Sequence, residues 1–266
     1  MTNEELNNWL GALTKSFNNN PARKKLYEEV ESAGSLGAKR SDGELWGSTT
    51  TDGNTVIEVV VPSKYPEAAL AHELLHARIK NRGYKQYCVV VGMIEKRHYL
   101  KPLLPMLDNE LQHNKFFPDF LRLGFAPDHM YGDSDADWST DLQKSISVLS
   151  PDAPLESFLF VYMTLIAPGG FGTAEDKKRL EDELQKRCAP GCWKRLRAIK
   201  AAIADYRDSV SLDAQTVIAR ILQELGGYEA VWIGYSKNFP ASGFFIGEPF
   251  TMDAAQAYER DHARES

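Results

Sequence analysis

His72, Glu73 and His76 form the pattern H-E-x-x-H, and these residue types at this spacing can hold and use a metal ion. In a helix, residues four apart stand on one face about one turn apart, so both imidazoles can offer a ring nitrogen to one ion. Glu73 sits beside that face without needing to ligate, where a general base for a metal-activated water is wanted. Chance alone yields the pattern in roughly one chain in a hundred of this length, so the surroundings decide its weight. Pro66 opens an apolar pattern through Ala68, Leu70, Leu74, Leu75 and Ile79, and a β-rich hairpin comes just before it. A helix carrying two ordinary histidines is the alternative.

A catalytic zinc site wants a third protein ligand and one open position. The next helix carries Asp108-Asn109-Glu110-Leu111-Gln112-His113-Asn114, where Glu110 and His113, three apart, share a face. Here the chain resembles the gluzincin branch of the zincin metallopeptidases, in which a later helix donates a Glu within N-E-x-x-x-D. Asn109-Glu110 matches that form, Asn114 stands where the family has Asp, and His113 precedes it. The resemblance covers about residues 44–120. It implies Glu110 as third ligand, with His113 as the competing choice, and Asn114 orienting a ligand histidine from outside the first shell. The metzincin extension is absent, because no His follows His76 by six residues.

What the resemblance implies is a zinc-dependent metallopeptidase with one zinc per chain and a protein or peptide substrate. Glu73 would be its general base, and Val56 to Val61 the edge strand along which an extended peptide lies. An oxyanion stabiliser comes from outside the motif, and His129, Tyr131 and Tyr235 are of suitable type. A rival from another class is a regulatory or protein-interaction module that binds metal in a zincin-like core without turnover.

The elements that must position these residues are legible in outline. Residues 3–35 read as two helices parted by Asn18-Asn19-Asn20-Pro21, with Asn20 as cap and Pro21 at the first helical position. Leu45–Thr50 and Thr55–Val61 flank Asp52-Gly53, a hairpin signal. Pro105 is expected to start the second site helix, which Pro118 closes near Phe117. The short apolar run Cys88–Ile94 fits strand or buried helix. Helices follow at about 154–166, 174–188, 193–208 and 212–225, then a strand pair near 230–235 and 243–246, and a helical tail from Thr251. The expected fold is α+β, a zincin-like core with a mainly helical second half. Its expected parts are an N-terminal helical segment (1–43), the metal-binding core (44–132) and a helical region (133–266) that completes the domain or forms a substrate or partner module.

Composition narrows the classes. The 266 residues carry 31 Lys+Arg against 37 Asp+Glu, a net charge of −6, which disfavours a protein built to coat nucleic acid or anionic membrane. Three cysteines make no disulfide framework and suit a reducing compartment. The first residues lack a secretory pattern, and Phe158–Ala167 is half the roughly 20 residues of a spanning helix. A cytoplasmic protein with no membrane partner is expected. Asp133–Asp137 mimics a calcium loop but lacks its Gly and Glu, and Cys188-x₃-Cys192 has no second pair for a zinc ribbon. Lys186, Arg187, Lys194, Arg195, Arg197 and Lys200 cluster at a helix turn, where they complement a helix dipole more readily than they make a nucleic-acid site.

Overall fold

The computed structural model describes residues 3–41, 43, 45–84, 89–90, 97–131, 138–170, 172–226, 230–234 and 244–247. Their order is α1 (Asn3–Phe17), α2 (Pro21–Ala33), β1 (Leu36–Arg40), β2 (Gly47–Thr51), β3 (Asn54–Val59), α3 (Pro66–Asn81), β4 (Val89–Val90) and α4 (Arg97–Arg122). A 3₁₀ helix at Pro127–Tyr131 leads to α5 (Trp138–Val148), α6 (Leu155–Ile166), α7 (Ala174–Arg187), α8 (Pro190–Asp208), α9 (Gln215–Leu225), β5 (Ala230–Gly234) and β6 (Phe244–Gly247). The fold is α+β and mostly helical. It divides into two compact units that interleave in sequence: Met1–Tyr84, Gln112–Ser145 and Leu165–Arg179 form the first, and the remainder forms the second.

In the first unit, local chemistry sets the elements before packing does. Asn20 caps α2, its side-chain oxygen accepting from the backbone N–H of Ala22 at 2.9 Å and Arg23 at 3.3 Å. Such a cap is worth about 1 kcal/mol. Asp52 (φ 50°) and Gly53 (φ 84°) both take left-handed conformations, as a two-residue hairpin turn demands. Gly53 is doubly constrained, because a Cβ there would lie 2.2 Å from the Ala33 carbonyl oxygen. The hairpin turn is pressed against the end of α2.

β3 is the central strand, with β2 antiparallel on one side and β1 parallel on the other. This corrects the expectation of β3 as an edge: β1 and β2 are the outer strands. Leu36-Gly-Ala-Lys-Arg40 has no alternation and poor strand formers, so its pairing with β3 had no signal of its own. Asn54 anchors it, accepting from the Ser35 N–H at 3.0 Å and hydroxyl at 2.8 Å. Thr55, Ile57 and Val59 are buried, while Val56 stays exposed.

α3 is buried from Ala68 through Ala77 and again at Ile79. Arg78 pairs with Asp119 and so ties its last turn to α4. α4 begins eight residues before the expected Pro105 and continues past Pro118, with Pro102, Pro105 and Pro118 inside it. An internal proline costs roughly 3 kcal/mol of helix. The buried series Leu103, Leu107, Leu111, Phe116 and Phe120 offsets that by packing along the whole length.

The second unit pairs β4, β5 and β6 in one antiparallel sheet. Phe158, Leu159, Tyr162 and Met163 of α6 belong to its core, with the Tyr162 hydroxyl donating to Glu181 at 3.0 Å. Of the basic cluster, Arg187 and Arg195 donate to the Leu149 and Leu225 carbonyls, and Lys200 pairs with Glu181. Cys188 and Cys192 are free thiols at the α7–α8 turn. Cys88, the Asp133–Asp137 loop, Tyr235 and the tail from Thr251 lie outside the described residues. Among the described residues, no helix is long and apolar enough to cross a membrane.

Candidate metal centre

Everything that forms the site belongs to the first unit. Pro66 stands at the first helical position of α3, Glu67 in its first turn and Arg78 and Lys80 in its last, charges that suit the helix dipole. That helix carries His72 and His76 one turn apart. α4 supplies Gln112 and His113, and the 3₁₀ helix supplies Met130 and Tyr131.

The three imidazoles converge. Nε2 of His72 is 2.9 Å from Nε2 of His76 and 3.0 Å from Nε2 of His113, and the latter two are 3.2 Å apart. The opposite ring nitrogens are all tied back. His72 Nδ1–H donates to the Met130 carbonyl at 2.9 Å, and His76 Nδ1–H donates to Gln112 Oε1 at 2.9 Å. His113 Nδ1 lies 2.9 Å from the Tyr131 hydroxyl. Phe116, itself buried, meets all three rings edge-on at 4.8–5.8 Å between centroids.

These partners decide what the centre can hold. A carbonyl oxygen only accepts, so neutral His72 keeps its proton on Nδ1 and presents a lone pair at Nε2. The Gln112 oxygen imposes the same tautomer on His76. Two lone pairs 2.9 Å apart repel unless a cation lies between them. Zinc–nitrogen bonds of about 2.0–2.1 Å at tetrahedral angles would space the nitrogens about 3.3 Å apart, close to the spacing found. The residues present fit a divalent ion bound through three nitrogens, with outer partners fixing each ring.

Electrostatics agree with neutral rings. Burial, then the neighbouring His72 and His113, hold His76 well below its usual range, and burial and His72 do the same for His113. Glu73 is 5% exposed, and burial pushes its carboxyl up to about 7, partly opposed by the Ser48 hydroxyl and Lys80. A bound dication nearby would reverse that shift.

A pH dependence of the metal-free protein follows. Unfolded histidines take up protons below about pH 6.5 while His76 and His113 stay neutral in the fold, so their contribution to stability is full above 6.5 and lost as pH falls. Glu73 acts in the opposite sense: its folded form holds a proton between 4.5 and about 7, so its contribution falls as pH rises through that window. Two histidines outweigh one carboxyl. The melting temperature of chelator-treated protein should therefore drop on acidification below pH 6.5, more steeply in Glu73→Gln than in wild type. A flat profile from pH 7.5 to 5 would contradict the buried neutral rings.

Of the residues left in competition by the sequence, the structure brings His113 to the His72–His76 pair. Glu110, one turn earlier on α4, is buried but is not part of the three-residue group. Asn114 is also buried. Tyr131 contacts His113 Nδ1, while His129 stacks on Tyr65 at 3.9 Å between centroids. Sequence reasoning missed Gln112, the Met130 carbonyl, Ser48 and Phe116. Gln112 had a signal, a polar residue beside a ligand type on a site helix; a backbone carbonyl has none. Compared with family models, with curated proteins and with solved structures, the chain matches none of them.

Proposed function

We propose that the chain is a zinc-dependent metallopeptidase whose ion is held by His72, His76 and His113, with Glu73 as general base. The observation that carries this reading is the convergence of three buried Nε2 atoms, two from α3 and one from α4, each ring tied back at Nδ1, with the buried carboxyl of Glu73 on α3 as well. A zinc ion held there supplies Lewis-acid polarisation of a carbonyl oxygen and a lowered pKa for water.

The chain's own residues do the rest. A Glu73 carboxylate oxygen takes the proton from the attacking water and passes it to the leaving nitrogen. Burial raises that carboxyl to about 7 in the metal-free chain, partly opposed by Ser48, and a bound dication would lower it again so that the base is ionised at neutral pH. β2, an outer strand of its sheet, runs beside α3, and Ser48 Oγ reaches the Glu73 carbonyl at 3.5 Å. An extended peptide pairing with β2 would gain sequence-tolerant main-chain hydrogen bonds next to Glu73. This moves the expected substrate strand from β3 to β2.

One observation favours a second reading. His72, His76 and His113 are only 9%, 6% and 1% exposed, as in a closed site that binds metal without turnover. Metal analysis combined with an assay on an unfolded protein substrate separates the two. The peptidase reading expects about one zinc per chain and hydrolysis that a chelator abolishes and added zinc restores. Zinc without hydrolysis favours the closed site. Protein unable to take up a divalent ion at neutral pH overturns both.

A further inference from the structure

A cleft of about 490 Å³ opens beside the start of α3, walled by that helix, α1, α2 and the 3₁₀ helix. The volume lies in the range of small-molecule and side-chain pockets. Two of its walls also build the metal centre. Ala68 lines the cleft and stands one helical turn before His72, and His129 lines it immediately before Met130, whose carbonyl holds the His72 ring.

The charges in the cleft do not cancel. Arg23 is tied to its neighbours: one guanidinium nitrogen lies 2.5 Å from a Glu67 oxygen, Nε donates to the Leu123 carbonyl at 3.0 Å, and the group sits 4.0 Å over the Phe125 ring. The Ser16 hydroxyl donates to the other Glu67 oxygen. That carboxylate is therefore satisfied at both oxygens, and the Arg23–Glu67 pair adds no net charge. Lys64 remains. Its side chain is exposed, its ammonium lies 5.3 Å from the Tyr65 ring centroid, and it has no carboxylate partner among the described residues. Tyr65, stacked on His129, gives that ammonium a fixed side wall. Leu13, Pro66, Ala68 and Phe125 supply apolar surface.

A cleft with apolar walls and one uncompensated cation suits a group with a short apolar stem and a carboxylate tip, and disfavours Lys and Arg side chains. We propose that it seats a carboxylate of the substrate, either an acidic side chain or the C-terminal carboxylate, against the ammonium of Lys64. This rests on the peptidase reading, since it is the substrate of the neighbouring centre that the cleft selects. Successive residues of an extended peptide advance about 3.3 Å, so a residue one or two away from the reacting bond spans the helical turn between Ala68 and His72.

The test measures binding, so it does not depend on turnover. Zinc-loaded, full-length Glu73→Gln protein is titrated into fluorescein-labelled, alanine-rich heptapeptides. These carry Glu or Gln at a central position and a free or amidated C-terminus, and anisotropy is read. The carboxylate form should bind about two- to fivefold tighter than its neutral counterpart, the range of a partly exposed ion pair. The Glu–Gln comparison reports a side-chain source and the free–amide comparison a terminal one. Lys64→Glu, added to the same protein, should abolish or invert the preference, and high salt should shrink it in the unaltered cleft. Equal binding of charged and neutral probes, a preference that survives Lys64→Glu, or no binding of any probe overturns the proposal. A carboxylate preference in a wild-type protein that never hydrolyses peptide keeps the cleft and discards the peptidase.

Discussion

His113→Ala is expected to cost the chain its divalent ion as completely as His72→Ala or His76→Ala, whereas Glu110→Gln leaves metal affinity unchanged. The reasoning is geometric: three Nε2 atoms lie within 2.9–3.2 Å of one another, and Glu110 is not among them. Partners outside the ligand shell set a scale, since their loss costs roughly 10–100-fold in affinity. Gln112→Ala, which frees His76 Nδ1, and Tyr131→Phe, which frees His113 Nδ1, should fall in that range. Loss of any of the three imidazoles themselves should exceed it. Competition with a chromogenic chelator at pH 7 orders the whole series. If Glu110→Gln weakened zinc as much as His113→Ala, the ligand set would be two histidines and a carboxylate, as the gluzincin resemblance implied. A three-imidazole set also leaves the full +2 of the ion uncompensated by its ligands.

How much of this site was legible follows from which interactions are local. H-E-x-x-H, the Asn20 cap and the Asp52-Gly53 turn are set within a few residues, and each appears where spacing and turn chemistry place it. The choice between Glu110 and His113 is different in kind. Both project from nearly the same face of α4, so helical spacing cannot separate them; the rotation and axial position of α4 against α3 decide, and those come from packing of residues such as Phe116. The true length of α4 was hidden for a related reason. Pro105 and Pro118 are strong local stop signals, and a long buried stripe overrides them. From the sequence β3 reads as an edge, because nothing in Leu36–Arg40 announces a strand. Its parallel pairing with β3 is a tertiary event that makes β1 and β2 the outer strands among the described residues.

Glu73→Gln is expected to abolish hydrolysis while leaving zinc content and fold intact. The two carboxamide and carboxylate side chains have nearly the same shape, so the buried space that Glu73 occupies stays filled. The amide cannot take a proton from water at neutral pH. Loss of a positioned base costs roughly 10²–10⁴ in rate, and the fall should appear in kcat as well as kcat/KM because the proton moves in the transition state. Ser48→Ala offers a graded control: Ser48 opposes the rise that burial imposes on the Glu73 carboxyl, so its removal should raise the Glu73 pKa and shift the acid limb of the kcat/KM profile to higher pH. The sign follows because Ser48 favours the charged form of the carboxyl and lowers its pKa while present. Wild-type turnover by Glu73→Gln would place the base elsewhere, and loss of zinc from that variant would make Glu73 a ligand. An acid limb that stayed in place in Ser48→Ala would show that the group titrating there is not the carboxyl beside β2.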